Sequence, residues 1–446
     1  MAVVEDRDKL CSPCSRIPPI KDIILGSDEM WGSFQEFKSS ALNGCPLCSY
    51  LYNEKRKEWD SLEVEKSLYP GEPISLQWNG PLPVRPPPVN EEQSLILECT
   101  WGFQYNIDYS IYVDADEPIS KTVPFRKIDP DPMSDQVIAK VNGWIASCSR
   151  GHSFCHPTED ALLPRFVIEI HDSDETKPSL RLVENGTKMA RYITLSYVWG
   201  IRPQPVQLMR ENMAQLKESI DYDKLPSTIQ DAIRVARRLG VQYVWVDALC
   251  IVQDDDDIKK QQIGQMQNIY GSSYMTIQAA NVATVKESFL KLRNSPKPFK
   301  LRYDDSSHVY LRGYTPDRMP GGSARQRAWV FQESILPNRL LVYGEHQLVF
   351  QCREGIQYEC GFRANQVKYR SPATPSFLRP GNWLNYLGKR LIQPFPLLIA
   401  DWISSRHGIL PLMTGIQPEC SPSQVTDCLQ SAASLSVFKR KLEDDT

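Results

Sequence analysis

The chain has 446 residues, with 51 basic and 54 acidic side chains, a formal net charge of −3, and 41% hydrophobic residues. That balance supports packed cores and gives no general pull toward nucleic acid or an anionic membrane. No apolar run reaches the roughly 18 residues of a membrane span, and the charged start MAVVEDRDKLCSPC lacks a signal-peptide core.

The expected compartment is therefore the cytosol or the nucleus, with the cytoplasm preferred, where the 12 cysteines are read as thiols or metal ligands rather than disulfides. Residues 1–60 form a Cys-rich N-terminal region. Cys11 and Cys14 make one C-x-x-C pair, and Cys45 and Cys48 make another. Four soft thiolates from two such knuckles suit a tetrahedral structural zinc. The alternative is reduced thiols packed around a small helical cap. With zinc, metal analysis is expected to find about one ion per chain.

Residues 61–190 are a mixed strand and helix region. Residues 70–90, rich in proline and glycine, read as loop or linker. SLILECTWGFQYNIDYSIYV reads as one or two strands. DPMSDQVIAKVNGWIASCSRGH reads as a helix with Ile138, Val141, Trp144 and Ile145 on one face. Its end, CSRGHSFC, adds Cys148, His152 and Cys155 as a weaker metal set, with His156 or Cys99 as the fourth ligand.

From residue 191 to about 280 strand and helix alternate. YITLSYV is a short apolar strand. LPSTIQDAIRVARRLG is an amphipathic helix with Ser227 and Gln230 as a capping box, Ile229, Ala232, Ile233, Ala236 and Leu239 as its apolar stripe, and Gly240 at its C-terminal cap. VQYVWVDALCIV is a nearly continuous apolar run, as expected of a strand covered on both faces. DDDDIKKQQIGQMQNIYG is a second helix with Ile263, Met266, Ile269 and Tyr270 inward, and SYMTIQAA is a third strand. The alternation implies an α/β fold with a largely parallel sheet. In such sheets ligands bind beyond the carboxyl ends of the strands, where Tyr197, Trp199, Gly200 and Asp247 fall.

Three blocks together resemble the HET (heterokaryon incompatibility) domain of filamentous fungi: YITLSYVWG, LPSTIQDAIRVARRLGVQYVWVDALCIVQDDDDIKKQQIGQMQNIYGSSYMTIQAA, and RQRAWVFQESILPNRLLVYGEHQLVFQC. The resemblance covers residues 192–352 and places the domain at 191–365. It implies a TIR-like, flavodoxin-like α/β sheet, and a role in non-self recognition and regulated cell death through self- or partner-assembly. Some TIR domains cleave NAD with a glutamate, so NAD is the substrate in the enzymatic alternative.

On that alternative the catalytic residues are Glu333 and Asp247, and Tyr197, Trp199, Gly200, Gln253, Trp329 and Gln332 line the ligand cleft. Asp247 binds a ribose hydroxyl, or it is a structural anchor for backbone amides or Arg339. Glu333 stabilises a ribosyl cation, or it pairs with Arg327 or Arg339. Gln262 stands where many HET sequences carry a glutamate, which leaves Glu333 as the carboxylate within the motifs. Cys250 and Cys352 read as buried small hydrophobes. No basic stripe interleaved with aromatics points to nucleic acid. Residues 366–446 are proline-rich and irregular, a truncated or altered C-terminal region by the family pattern.

Overall fold

The computed structural model describes residues 7–22, 28–57, 59–60, 73–79, 96–101, 105–121, 123, 125–152, 155, 160–171, 177–200, 204–293, 298–313, 333–334, 336–361 and 363–365. The C-terminal region 366–446 lies outside them.

The first α-helix among the described residues is α1 (Ser12–Arg16), and the first strand is β1 (Asp28–Ser33). Helix α2 (Phe34–Leu42) starts with a capping box: Ser33 Oγ accepts the Glu36 amide, and the Glu36 carboxylate accepts the Ser33 amide. Helix α3 (Pro46–Glu54) follows, then β2 (Pro73–Asn79), β3 (Ile96–Trp101) and β4 (Tyr105–Tyr112). These four strands pair antiparallel in sequence order. The linker reading of 70–90 is thus corrected over 73–79. Pro73 stands at the first strand position, where it disturbs the ladder least; residues 80–90 lie outside the described residues. Phe34, Phe37, Leu47, Leu51 and Trp59 pack on Ile74, Ile107, Tyr109 and Ile111 to make the first core.

Helix α4 (Asp135–Gly151) is capped by Ser134 Oγ, which accepts the Val137 amide. Its buried face holds Ile138, Val141, Trp144 and Ile145, as the periodicity requires. Strands β5 (Ala161–Leu162) and β8 (Met189–Ala190) form a two-stranded ribbon. Between them, β6 (Phe166–His171) and β7 (Ser179–Glu184) form an antiparallel pair.

Strand β9 (Tyr192–Ser196) leads through α5 (Met213–Glu218) to α6 (Ser227–Arg238). Ile229, Ala232, Ile233 and Ala236 of α6 are fully buried, and Gly240 takes φ +68° just past its end. Its start differs from the expected capping box. Pro226 is the N-cap, and Gln230 Nε2 donates to the Tyr222 and Leu225 carbonyls instead.

Strand β10 is only Tyr243–Trp245. The apolar run beyond it turns into a one-turn helix, α7 (Asp247–Cys250), because burial on all sides suits either backbone state. The next helix is divided at Gln265 into α8 (Asp256–Gly264) and α9 (Met266–Gly271), with Asp255 capping α8 through the amides of Asp257 and Ile258. Strand β11 (Met275–Ala279) is buried along its whole length. Strands β12 (Phe299–Arg302) and β13 (His308–Gly313) then return to the first sheet, where β13 pairs with β4. The chain ends its second sheet with β14 (Arg339–Tyr343), β15 (Leu348–Cys352), β16 (Gly355–Tyr358) and β17 (Arg363–Asn365).

The second sheet has nine strands in the order β17-β16-β15-β14-β11-β9-β10-β6-β7. Its centre, β14, β11, β9 and β10, is parallel. Both flanks are antiparallel. The fold is therefore mixed α/β, and the sheet is less parallel than its helix–strand alternation implies. Among the described residues no helix is long and apolar enough to cross a membrane.

Candidate functional site

The carboxyl ends of β9, β10 and β11 lie side by side, since Ser196 pairs in register with Gln278 and Trp245 with Thr194. Strand β9 is central, with β10 on one side and β11 on the other. The connection leaving β9 runs to β10 on one side, and the chain leaving β11 goes on to β14 on the other, so a crevice opens between the carboxyl ends of β9 and β11. Ser196 is the last residue of β9, and its Oγ donates to Glu333 Oε2 at 2.5 Å. Gln278 Nε2 donates to Ser334 Oγ at 3.2 Å. Residues 333–334 are thereby pinned over the ends of β9 and β11, with Glu333 only 4% exposed.

Trp199 Nε1 donates to Asp247 Oδ2 at 2.8 Å, and Asp247 Oδ1 accepts the Ala248 amide at 2.8 Å. Tyr197 is 3% exposed. Burial pushes its phenol far above the ordinary tyrosine range, and the charges of Asp247 and Glu333 push in the same direction. The phenol oxygen faces Asp247 without completing a hydrogen bond. The structure thus gathers Tyr197, Trp199, Asp247 and Glu333 at one strand edge. It adds Ser196, Gln278 and Ser334, which sequence reasoning did not place in the site. The available signal was position alone, a hydroxyl ending an apolar strand.

Gln253 supports this edge from behind: its Nε2 donates to the Asp247 and Ile251 carbonyls. Gly200 has φ +92° and lets the chain turn away directly after Trp199. Its Cβ position would meet only Thr284, at 3.6 Å, so the strain of a substitution is in the backbone. Gly200→Ala is expected to lose about 1–2 kcal/mol, read as a lowered midpoint in urea with an unchanged slope.

Trp329, Gln332 and Arg327 lie outside the described residues. Arg339 does not pair with Asp247 or Glu333. It begins β14, at the opposite edge of the parallel strands, and its Nε lies 3.5 Å from Cys148 Sγ. Cys250 is buried, and that burial pushes its thiol up to about 12, as befits a packing residue rather than a nucleophile. Gln262 Oε1 accepts the Val252 amide and ties α8 to the segment before it.

Residues 192–333 match the sequence profile of the heterokaryon incompatibility protein (HET) family. The chain carries a HET domain. Heterokaryon incompatibility protein 6, OR allele, of Neurospora crassa is 29% identical to it over 92 residues, which span 19% of this chain and 14% of that protein. No solved structure matches the chain significantly. The family match opens at the first residue of β9 and closes on Glu333, so the gathered strand edge belongs to the HET domain.

Two groups of side chains outside the matched residues can hold a metal ion, and in each the ligand atoms all lie within 4.8 Å of one another. In the first, Cys11 Sγ is 3.6 Å from both Cys45 Sγ and Cys48 Sγ, and Cys14 Sγ is 3.5 Å from Cys48 Sγ. Tetrahedral zinc with bonds of about 2.3 Å sets its sulfurs about 3.8 Å apart, so these thiols fit the ion with little movement. The hydrogen-bonding contact with Cys11 holds Cys45 far below the ordinary thiol value, and that with Cys14 brings Cys11 down to about 6. Cys14 and Cys48 are pushed up by the same neighbours.

The second group is Cys148, His152, Cys155 and Cys352. The expected fourth ligand, His156 or Cys99, is corrected to Cys352. Cys99 packs in the first core, and His156 lies outside the described residues. Cys352, read from sequence as a small hydrophobe, has its Sγ 3.3 Å from His152 Nδ1.

Proposed function

We propose that this protein acts in fungal non-self recognition, its HET domain triggering regulated cell death by assembling with itself or with a partner chain in the cytoplasm. The observation that carries this reading is the family match over 192–333, which takes in β9, β10, β11 and every connection between them. Induced expression of the full chain in a filamentous fungus is expected to arrest growth, and light scattering of the purified protein to show species larger than one chain. Normal growth together with a strictly monomeric protein refutes the proposal.

A second reading is enzymatic, and one contact favours it: the Glu333 carboxylate held at 2.5 Å by Ser196 at the end of the central strand. The parallel order β10-β9-β11-β14 follows the start of the flavodoxin-like pattern, which supports a TIR-like sheet. On this reading NAD sits in the crevice. Tyr197 and Trp199 wall it, Asp247 takes a ribose hydroxyl, and Glu333 stabilises the ribosyl cation as the bond to nicotinamide breaks. Purified protein should release nicotinamide from NAD, and Glu333→Gln should slow release by about a hundredfold or more. Wild-type protein without turnover, or a Glu333→Gln variant with full turnover, removes this reading. Each group of four metal-binding side chains is closed, with no open coordination position for chemistry. The Cys11, Cys14, Cys45 and Cys48 group is accordingly read as structural zinc.

A further inference from the structure

We propose that Cys148, His152, Cys155 and Cys352 bind a second zinc ion, in a site of three thiolates and one imidazole that fastens helix α4 to strand β15. Cys148 lies in the last turn of α4 and His152 is its C-cap. The four-residue step between them places both on one face of the helix end. Cys155 is three residues further along the chain, and Cys352 ends β15. Two of these thiols come from the chain before the matched HET residues, together with the histidine, and the last comes from after them. The ion therefore joins the flanks of the domain across its second sheet.

The donor geometry fits. Zinc–sulfur bonds of about 2.3 Å and zinc–nitrogen bonds of about 2.0–2.1 Å put sulfur and nitrogen about 3.6 Å apart in a tetrahedron. The Cys352 Sγ to His152 Nδ1 distance is 3.3 Å. The three thiols are buried, and all are free of disulfides.

Charge is the stronger argument. Arg339 is 2% exposed and pairs across the ladder with Cys352. Its Nε lies 3.5 Å from Cys148 Sγ, one Nη donates to Ser149 Oγ at 2.9 Å, and the other reaches the Tyr274 carbonyl at 3.4 Å. Among the described residues no carboxylate forms an ion pair with it. A buried guanidinium needs a counter-charge. Three thiolates and a neutral imidazole around zinc(II) leave one negative charge in excess, and Arg339 supplies one positive charge against Cys148. Neutral thiols without metal would leave that cation uncompensated. The outer contact from Arg339 also orients the ligand, as partners beyond the ligands commonly do in metal sites.

The test is zinc content per chain, measured by mass spectrometry of metals on full-length protein purified under reducing conditions. Wild type is expected to hold about two zinc ions. Cys352→Ala should retain about one, while Cys352→His, which keeps a ligand, should retain about two. A wild-type zinc content that Cys352→Ala leaves unchanged overturns the proposal. X-ray absorption at the zinc edge on wild-type protein needs no variant to fold. Averaged over one all-thiolate site and one site with a single imidazole, it should report about 3.5 sulfur and about 0.5 nitrogen neighbours per zinc. An all-sulfur shell overturns the second site.

Discussion

Replacing Glu359 with alanine is expected to lower folding stability by about 3–5 kcal/mol. Glu359 is 1% exposed, and its Oε2 takes Arg293 Nη1 at 2.5 Å. The same oxygen accepts the Leu348 amide at 3.0 Å, and Oε1 accepts the Asp129 amide at 3.1 Å. One side chain thus holds the loop before α4, the segment after β11 and the start of β15. Its removal leaves the Arg293 guanidinium, itself buried, without its anion, and two backbone amides without acceptors. Urea denaturation measures the loss. A double variant, Arg293→Met with Glu359→Leu, should recover much of it, since a buried pair can be replaced by apolar residues at little net cost. A loss below about 1 kcal/mol in Glu359→Ala would mean that water reaches Arg293 and screens it.

Helix α6 was legible because one pattern decided it: small and branched apolar residues at helical spacing, closed by Gly240 at φ +68°. The cap was misread because Ser227 satisfies the capping-box spelling, while Pro226 already occupies the cap and Gln230 reaches back to two free carbonyls. The run after Trp245 was ambiguous in principle. Val246 to Val252 are all apolar apart from Asp247, and a segment buried on every side carries no period. Strand β2 was hidden by its neighbours, since prolines and glycines on both sides outweighed the alternation of Ile74 to Trp78. Strands β12 and β13 were not legible at all as members of the first sheet. Their partner, β4, lies far back in the chain, and no local signal encodes an antiparallel pairing at that separation.

The candidate site divides in the same way. Tyr197, Trp199 and Asp247 could be placed together from the sequence because strand ends are predictable and clefts form there. Glu333 came from the HET resemblance, and its contact with Ser196 joins residues too distant in sequence for any spacing rule. The opposite happened with Cys352. Nothing in VFQC marks a ligand, and only the ladder, which sets Arg339 opposite Cys352 beside the end of α4, brings it to Cys148 and His152. The two ends of the parallel strands thereby carry different chemistry: hydroxyl, phenol and carboxylates at the carboxyl end, thiols and a guanidinium at the other.

Cys48→Ala is expected to strip zinc from the four-cysteine group and unfold the first core around it. Cys48 is fully buried on α3, and its Sγ is 3.5 Å from Cys14 and 3.6 Å from Cys11. The elements that carry the ligands are short: α1 spans Ser12–Arg16 and α3 spans Pro46–Glu54. Helices of that length are marginal alone, and neither Cys11 nor Cys45 supplies a side-chain cap as the N-cap of its helix. On the zinc reading the ion supplies what the local sequence lacks, since structural zinc contributes on the order of 10 kcal/mol to small domains. Hydrogen exchange of the Cys48→Ala protein should show lost protection for the amides of α2 and α3. Those of β9 and β11, buried in the other sheet, should keep theirs. Retained protection in α2 and α3 would mean that the aromatic cluster of Phe34, Phe37, Tyr52 and Trp59 holds this core by itself, with the thiols only packed within it.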